Sequence, residues 1–221
     1  MKRSRNTAIA LSIVVLAALL LPAAAFAAPA APAMATYSIT VENLTGTQPF
    51  SPPLFVAHGP GYNLFRLGAF ASEGIQLIAE TGNNATATAE AQASPFTADV
   101  VAQAALVFPG TSTTAELTAP LGARLSIAAM LGITNDGFTG VDGYRLPSSG
   151  SVTFEVGSFD AGTEMNNEAV GYVGALGGGN MRAPTHMPIA SHAGILGVGD
   201  MDPAQYGWTD PVARVTVTRI K

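Results

Sequence analysis

Apolar and polar residues alternate with a period of two at both ends of this chain, which is the pattern of a strand with one buried face. In "TYSITVENL", Tyr37, Ile39 and Val41 alternate with Ser38, Thr40 and Glu42; in "ARVTVTRI", Ala213, Val215 and Val217 alternate with Arg214, Thr216 and Thr218. "TTAELTAP" and "ARLSIAAML" read as strands too, the second with Leu125, Ile127, Ala129 and Leu131 inward. "FTGVDGYRL" and "SVTFEVGSF" flank the turn-forming "PSSG" and are expected to pair as a hairpin. Helical signals are few. Ser72 suits an N-cap for "EGIQLIAE", where Ile75, Ile78 and Ala79 share one helical face.

Between these elements the pattern weakens. "TGTQPFSPPLFVAHGPGYNLF" reads as a loop packed over the core, and the Ala/Thr-rich run from Asn83 to Gln103 stays open between helix and loop. "NNEAVGYVGALGGGN" allows one helical turn before its Gly-rich break, and residues 175–210 read as a long irregular loop. Terminal strands, short strands between them and little long helical periodicity predict a mostly β fold: an antiparallel β-sandwich with short helices and long loops.

Residues 1–27 read differently. Lys2, Arg3 and Arg5 precede an apolar run from Ala8 to Leu21, and Ala25-Phe26-Ala27 forms a small-x-small cleavage pattern, so this segment is expected to be a secretory signal peptide. The apolar run is shorter than the ~20 residues a bilayer span needs and stops at Pro22. The expected location is secreted or periplasmic, with no membrane span after cleavage. Residues 28–35 form an Ala/Pro linker, leaving 36–221 as the domain.

Without residues 1–27 the chain carries 15 acids against 7 basic residues, a net charge of −8, which argues against nucleic acid as a partner. It contains no cysteine, so neither disulfides nor thiolate chemistry operates.

The strand-like "SVTFEVGSF" ends in "DAGTEMNN", with Asp160 and Glu164 four residues apart. In the expected hairpin, residues before Phe138 lie beside those after Phe159, so Asp136 meets Asp160 and Gly162 lets Glu164 fold back over them. Such acids could be solvated turn residues, a catalytic pair or a cation site. Hard oxygen donors in flexible loops suit Ca²⁺, which needs about 6–8 of them, so carbonyls and water would complete the shell. The same register sets Asp142 opposite Glu155, an unfavourable like-charge pair. An EF-hand is excluded by Met165 at the position that motif reserves for glycine.

Other chemistry is thinly represented. His58, His186 and His192 are scattered without metal-ligand spacing, G-x-S-x-G is absent, and "LGGGN" lacks a phosphate loop's lysine. A sugar-active or sugar-binding protein using the acidic loop is the alternative, and Trp208, Tyr206 and Tyr172 are the candidate stacking surface.

"MLGITNDGFTGVDGYRL", "GSFDAGTEMN", the terminal "PVARVTVTRI" and "YSITVENLTGTQPFSPPLFVAH" together resemble the spondin domain, named from the N-terminal region of F-spondin and mindin, over roughly residues 36–220. The resemblance implies a calcium-binding β-sandwich found in secreted matrix proteins of animals and in exported bacterial proteins. It places the calcium carboxylates at Asp136, Asp160 and Glu164. Two departures stand out: Glu164 replaces an aspartate, and "NDGF" replaces a "PDWF"-like sequence. The expectation is therefore a non-enzymatic, exported module with a structural Ca²⁺ and an adhesion or interaction role toward an unidentified extracellular protein or glycan.

Overall fold

In the computed structural model, residues 32–178 and 181–221 are described. The expected signal peptide and the first residues of the linker lie outside them. The elements run β1 (Met34–Asn43), β2 (Leu54–His58), α1 (Glu73–Thr81), α2 (Ala85–Ala93), β3 (Thr97–Ala102), β4 (Ser112–Pro120) and β5 (Arg124–Met130). They continue with β6 (Gly137–Arg145), β7 (Ser151–Val156), β8 (Ser158–Asp160), β9 (Ala190–Ser191), α3 (Pro203–Tyr206) and β10 (Ala213–Arg219).

Alternation decides which sheet a strand joins. β1, β4, β7 and β10 carry apolar residues on one face and Thr, Ser or charge on the other, and they form a four-stranded antiparallel sheet in the order β4-β1-β10-β7. On its outer face Thr114, Thr40, Thr216 and Thr153 align across all four strands. Their hydroxyls pair at 2.8 Å (Thr40 with Thr114) and 3.0 Å (Thr153 with Thr216), cross-strand contacts of modest individual worth.

β2 and most of β5 and β6 are buried throughout, as strands covered on both faces must be. They lie in a six-stranded antiparallel sheet of order β3-β2-β5-β6-β8-β9. Its inner face contributes Phe55, Ala57, Leu125 and Ile127 to a core shared with Tyr37, Ile39, Leu117, Val215 and Val217 of the first sheet. Its other face packs Leu54, Val56, Ala128 and Phe138 under α1 and α2. The fold is the expected β-sandwich with a helix pair as a third layer.

Helix α1 starts at Ser72, whose Oγ accepts from Ile75 N at 3.3 Å. It buries Ile75 and Ile78 completely, each contributing ~1.5–3 kcal/mol. Helix α2 occupies the Ala/Thr run that composition leaves open. Ala87 and Ala91 are fully buried, and a Cβ on Gly74 would stand 2.6 Å from Ala87 Cα. Close approach of small residues holds this helix pair together, a contact without the contrast that periodicity detects.

The expected 138–159 hairpin does not form. β6 pairs with β5 and β8, whereas β7 pairs with β10 in the other sheet, so "PSSG" carries the chain from one sheet to the other. The Asp142–Glu155 conflict disappears with it: Asp142 Oδ1 accepts from Leu64 N at 2.8 Å, and Glu155 pairs with Arg214 at 3.0 Å. The loop expected over residues 45–65 contains the fully buried β2, and the one expected over 175–210 contains β9 and α3. β1 begins at Met34, inside the expected linker. The helical turn expected within "NNEAVGYVGALGGGN" takes the form of two 3₁₀ turns at Val170–Tyr172 and Gly174–Leu176.

Candidate functional site

At Gly157 the chain leaves β7 and crosses to the six-stranded sheet. A Cβ there would sit 2.6 Å from Asp210 Oδ2, so glycine lets the Asp210 carboxylate lie close against the crossing. Asp210 Oδ1 then accepts from Ser158 N at 3.0 Å and Ser158 Oγ at 2.9 Å, which fixes the start of β8. β8 runs beside β6 with Gly137 opposite Asp160. Asp136 and Asp160 therefore meet as expected, with β8 rather than an extended β7 as the partner strand.

Asp136 ends the turn that leads into β6. Thr134 Oγ1 accepts from Gly137 N at 2.9 Å and donates to Leu131 O at 2.6 Å, closing that turn. The Asp136 side chain is fully buried. Its Oδ2 accepts from Thr163 N and Glu164 N, both at 2.9 Å, and more weakly from Thr163 Oγ1 at 3.3 Å. Its Oδ1 is buried with no hydrogen-bond partner. Burial, with the Asp160 charge second, pushes the Asp136 carboxyl up to about 7, against the opposing hydrogen bonds.

Asp160 Oδ1 accepts from Gly162 N at 2.7 Å, and Oδ2 accepts a short bond from Asn166 Nδ2. Gly162 turns with φ +71°, and a Cβ there would lie 2.3 Å from Met187 O. The loop is laced to the 183–187 segment through Met165 N to Ala183 O (2.8 Å), Thr185 N to Thr163 O (2.9 Å) and Met187 N to Gly162 O (2.9 Å).

Glu164 belongs to this loop by its backbone, but its carboxylate is occupied elsewhere. Oε1 accepts from Arg182 Nε at 2.7 Å and Oε2 from Ala183 N at 2.6 Å. Arg182 also pairs with Glu80 of α1 at 2.7 Å. Among the described residues no three His, Asp or Glu side chains stand close enough to hold a metal ion. A buried carboxylate oxygen without a donor, beside a second carboxylate, is the environment a hard cation relieves. Asp136 and Asp160 therefore fit a calcium ion, whereas Glu164 as placed does not.

Sequence reasoning missed Arg182, Thr163, Asn166 and Glu168. The asparagine run was visible as a feature. Arg182, in a stretch with no periodicity, gave no signal. Glu168 adopts φ +50° and its carboxylate accepts from Leu196 N, Gly197 N at 2.6 Å and Val198 N at 2.8 Å, gathering the 194–201 loop around one anion.

The histidines and aromatics form no ligand platform. His58 is fully buried, its Nε2 2.8 Å from Ser126 Oγ and its Nδ1 2.7 Å from Gly59 O, and burial lowers its pKa. His186 stacks on Phe70 at 4.2 Å. Trp208 is half-buried against two core clusters, tilted on His192 at 5.0 Å and donating from Nε1 to Ser158 Oγ at 3.0 Å. Tyr206 packs in the same small cluster, while Tyr172 lines a separate cavity with Arg182. Trp208 is thus a loop anchor rather than part of a three-ring stacking surface.

An antiparallel β-sandwich with an acidic loop cluster at the β6–β8 end defines the class of protein. The Spondin_N family matches residues 42–170, over half of the chain, and the chain belongs to that family. The matched span contains Asp136, Asp160 and Glu164 but not Arg182. No curated protein matches the chain. Among the described residues no helix is long and apolar enough to cross a membrane.

Proposed function

We propose that this protein is an exported, non-enzymatic interaction module whose β6–β8 end is stabilised by calcium. Asp136 and Asp160 are the primary ligands, and Glu164 joins them when its carboxylate leaves Arg182. The observation that carries the reading is Asp136 Oδ1, buried without a donor next to Asp160. The ion supplies positive charge there and nothing else. The chain's own residues do the positioning: Thr163 and Glu164 hold Asp136 by their N–H groups, and Gly162 and Asn166 orient Asp160.

Family membership supports the interaction role, and the charged, apolar and small-x-small order of residues 1–27 supports export. The partner is an extracellular protein or a glycan. The Ser–His contact between His58 and Ser126 is fully buried, which supports the absence of catalysis there.

Thermal unfolding of metal-stripped protein in EDTA and then in a calcium series tests the site, with Asp160→Ala beside the native chain. A melting temperature that rises and saturates with calcium in the native protein, and not in the variant, is expected by mass action. Equal melting of stripped and calcium-loaded native protein would sink the reading.

A further inference from the structure

We infer that Arg182 is a built-in competitor for calcium, and that Glu80 on α1 sets the strength of the competition by offering Arg182 a second place to rest. This rests on the calcium reading of Asp136, Asp160 and Glu164.

Two nearly buried carboxylates hold one half-exposed guanidinium. The Glu164 and Glu80 side chains are 5% and 10% exposed, while Arg182 is 51% exposed. Arg182 binds Glu164 through Nε and Glu80 through Nη2, both with strong charge-assisted geometry. Arg182 thus neutralises one of the three carboxylates and leaves Asp136 and Asp160 outside the ion pair. Calcium sites are tuned by the number of charged ligands, so occupying one of them with an internal cation weakens the site.

The competition operates in either binding geometry. If calcium draws in the Glu164 carboxylate, the Arg182 Nε bond breaks. If calcium stays on Asp136 and Asp160, the Glu164 carboxylate remains neutralised by Arg182 and adds no negative charge to the site. Glu80 acts in the opposite sense. It holds Arg182 when Glu164 is withdrawn, so the displaced guanidinium does not lose every partner. Gln76 Nε2 donates to Glu80 Oε1 at 2.8 Å, keeping that carboxylate oriented on the helix. Calcium at the sheet end is thereby coupled to α1 through one arginine.

The test is calorimetric titration of calcium chloride into stripped native protein, Arg182→Gln, Arg182→Lys and Glu80→Gln at low salt, with melting in EDTA and in calcium alongside. Arg182→Gln is expected to bind calcium about fivefold or more tightly, at least the low end of ordinary inter-site coupling. It should also show a larger calcium-induced melting shift, because Glu164 is left uncompensated in EDTA. Arg182→Lys keeps the charge and should stay close to native, and Glu80→Gln should bind more weakly. Equal affinities of native, Arg182→Gln and Glu80→Gln overturn the competitor role while leaving the calcium site standing. Equal tightening by Arg182→Lys also overturns it, since charge would then not be the cause. Should Arg182→Gln fail to fold, an unchanged Glu80→Gln affinity decides against the inference. Absence of binding heat and melting shift in every protein removes the calcium reading itself.

Discussion

The Glu164 N–H donates to Asp136 Oδ2 at 2.9 Å, while the Glu164 carboxylate turns away to Arg182. The two acids are therefore joined through a backbone donor and separated in their charges. One consequence is that Asp136 has two tasks. Its Oδ2 ties the loop after β8 to the turn before β6, and its Oδ1, buried without a hydrogen-bond partner, is the ligand atom in the calcium reading proposed above.

Two substitutions separate those tasks. Asp136→Asn keeps an acceptor for the Thr163 and Glu164 N–H groups and removes the buried charge. In EDTA it should melt at or above the native temperature, by up to about 1–3 kcal/mol of stability, while losing the calcium response. Asp136→Ala strands both N–H groups and should cost about 2–4 kcal/mol in EDTA. Urea unfolding of the three proteins, stripped and calcium-loaded, reads both effects. An Asn variant as unstable as the Ala variant would show that the charge itself is needed by the fold.

The pH dependence of the stripped protein follows from the same group. The Asp136 carboxyl titrates near 7 in the folded protein, above its ordinary 3.8, so between these values the native state binds more protons than the unfolded chain. Its contribution to stability is fullest below pH 4 and is lost as pH rises through about 7. Burial of His58 and of His192 works in the opposite direction: both pKa values are lowered, so their contribution is lost as pH falls below 6.5. Subtracting an Asp136→Asn melting profile from the native one removes what the two histidines contribute equally to both proteins. The difference in EDTA should fall from pH 5 to pH 8, and a flat difference would count against the buried, metal-free carboxyl.

The two-layer architecture was legible because "TYSITVENL" and "ARVTVTRI" bury one face and leave a Thr/Ser face wet, the direct signature of an outer sheet. "LFVAH" carries no strand signal, because a strand buried on both faces does not alternate and this one sits between Pro/Gly clusters. The hairpin expectation failed at "PSSG", which has turn chemistry but connects two sheets. β7's clean alternation, like that of β1 and β10, was the available clue that it belonged with them. Asp136 and Asp160 were still found together because "GSF" extends the chain past the crossover and back beside β6. Arg182 was not legible: a salt bridge from an irregular loop to a helix 102 positions away leaves no local pattern.

Glu168 offers a test of the 194–201 loop that is independent of calcium. Its carboxylate satisfies the N–H groups of Leu196, Gly197 and Val198, and its own carbonyl accepts from Asp200 N at 2.9 Å. Ile195 and Met201 anchor the loop's ends in a small buried cluster, whereas Leu196 and Val198 between them are exposed and depend on these hydrogen bonds. Glu168→Ala should cost about 2–4 kcal/mol and abolish hydrogen-exchange protection at residues 196–198, while β1 and β10 stay protected. Exchange mass spectrometry on the stripped protein measures this directly. Retained protection at 196–198 would mean the loop holds itself.

Gly140 tests the register of β6 against β5. It pairs with Ala128 in β6–β5, and a Cβ built on it would lie 2.1 Å from Ile127 O. That obstacle is backbone inside a sheet buried on both faces, so no flexible side chain can give way. Gly140→Ala should force β6 away from β5 and cost about 3 kcal/mol or more, with aggregation or loss of cooperative melting as the visible result. Gly46→Ala, with open space around the new methyl, is the matched control and should melt like the native chain. The clashing carbonyl belongs to β5, so the melting temperatures of these two variants test the β5–β6 register, on the edge of β6 opposite to the one that β8 and Asp160 occupy.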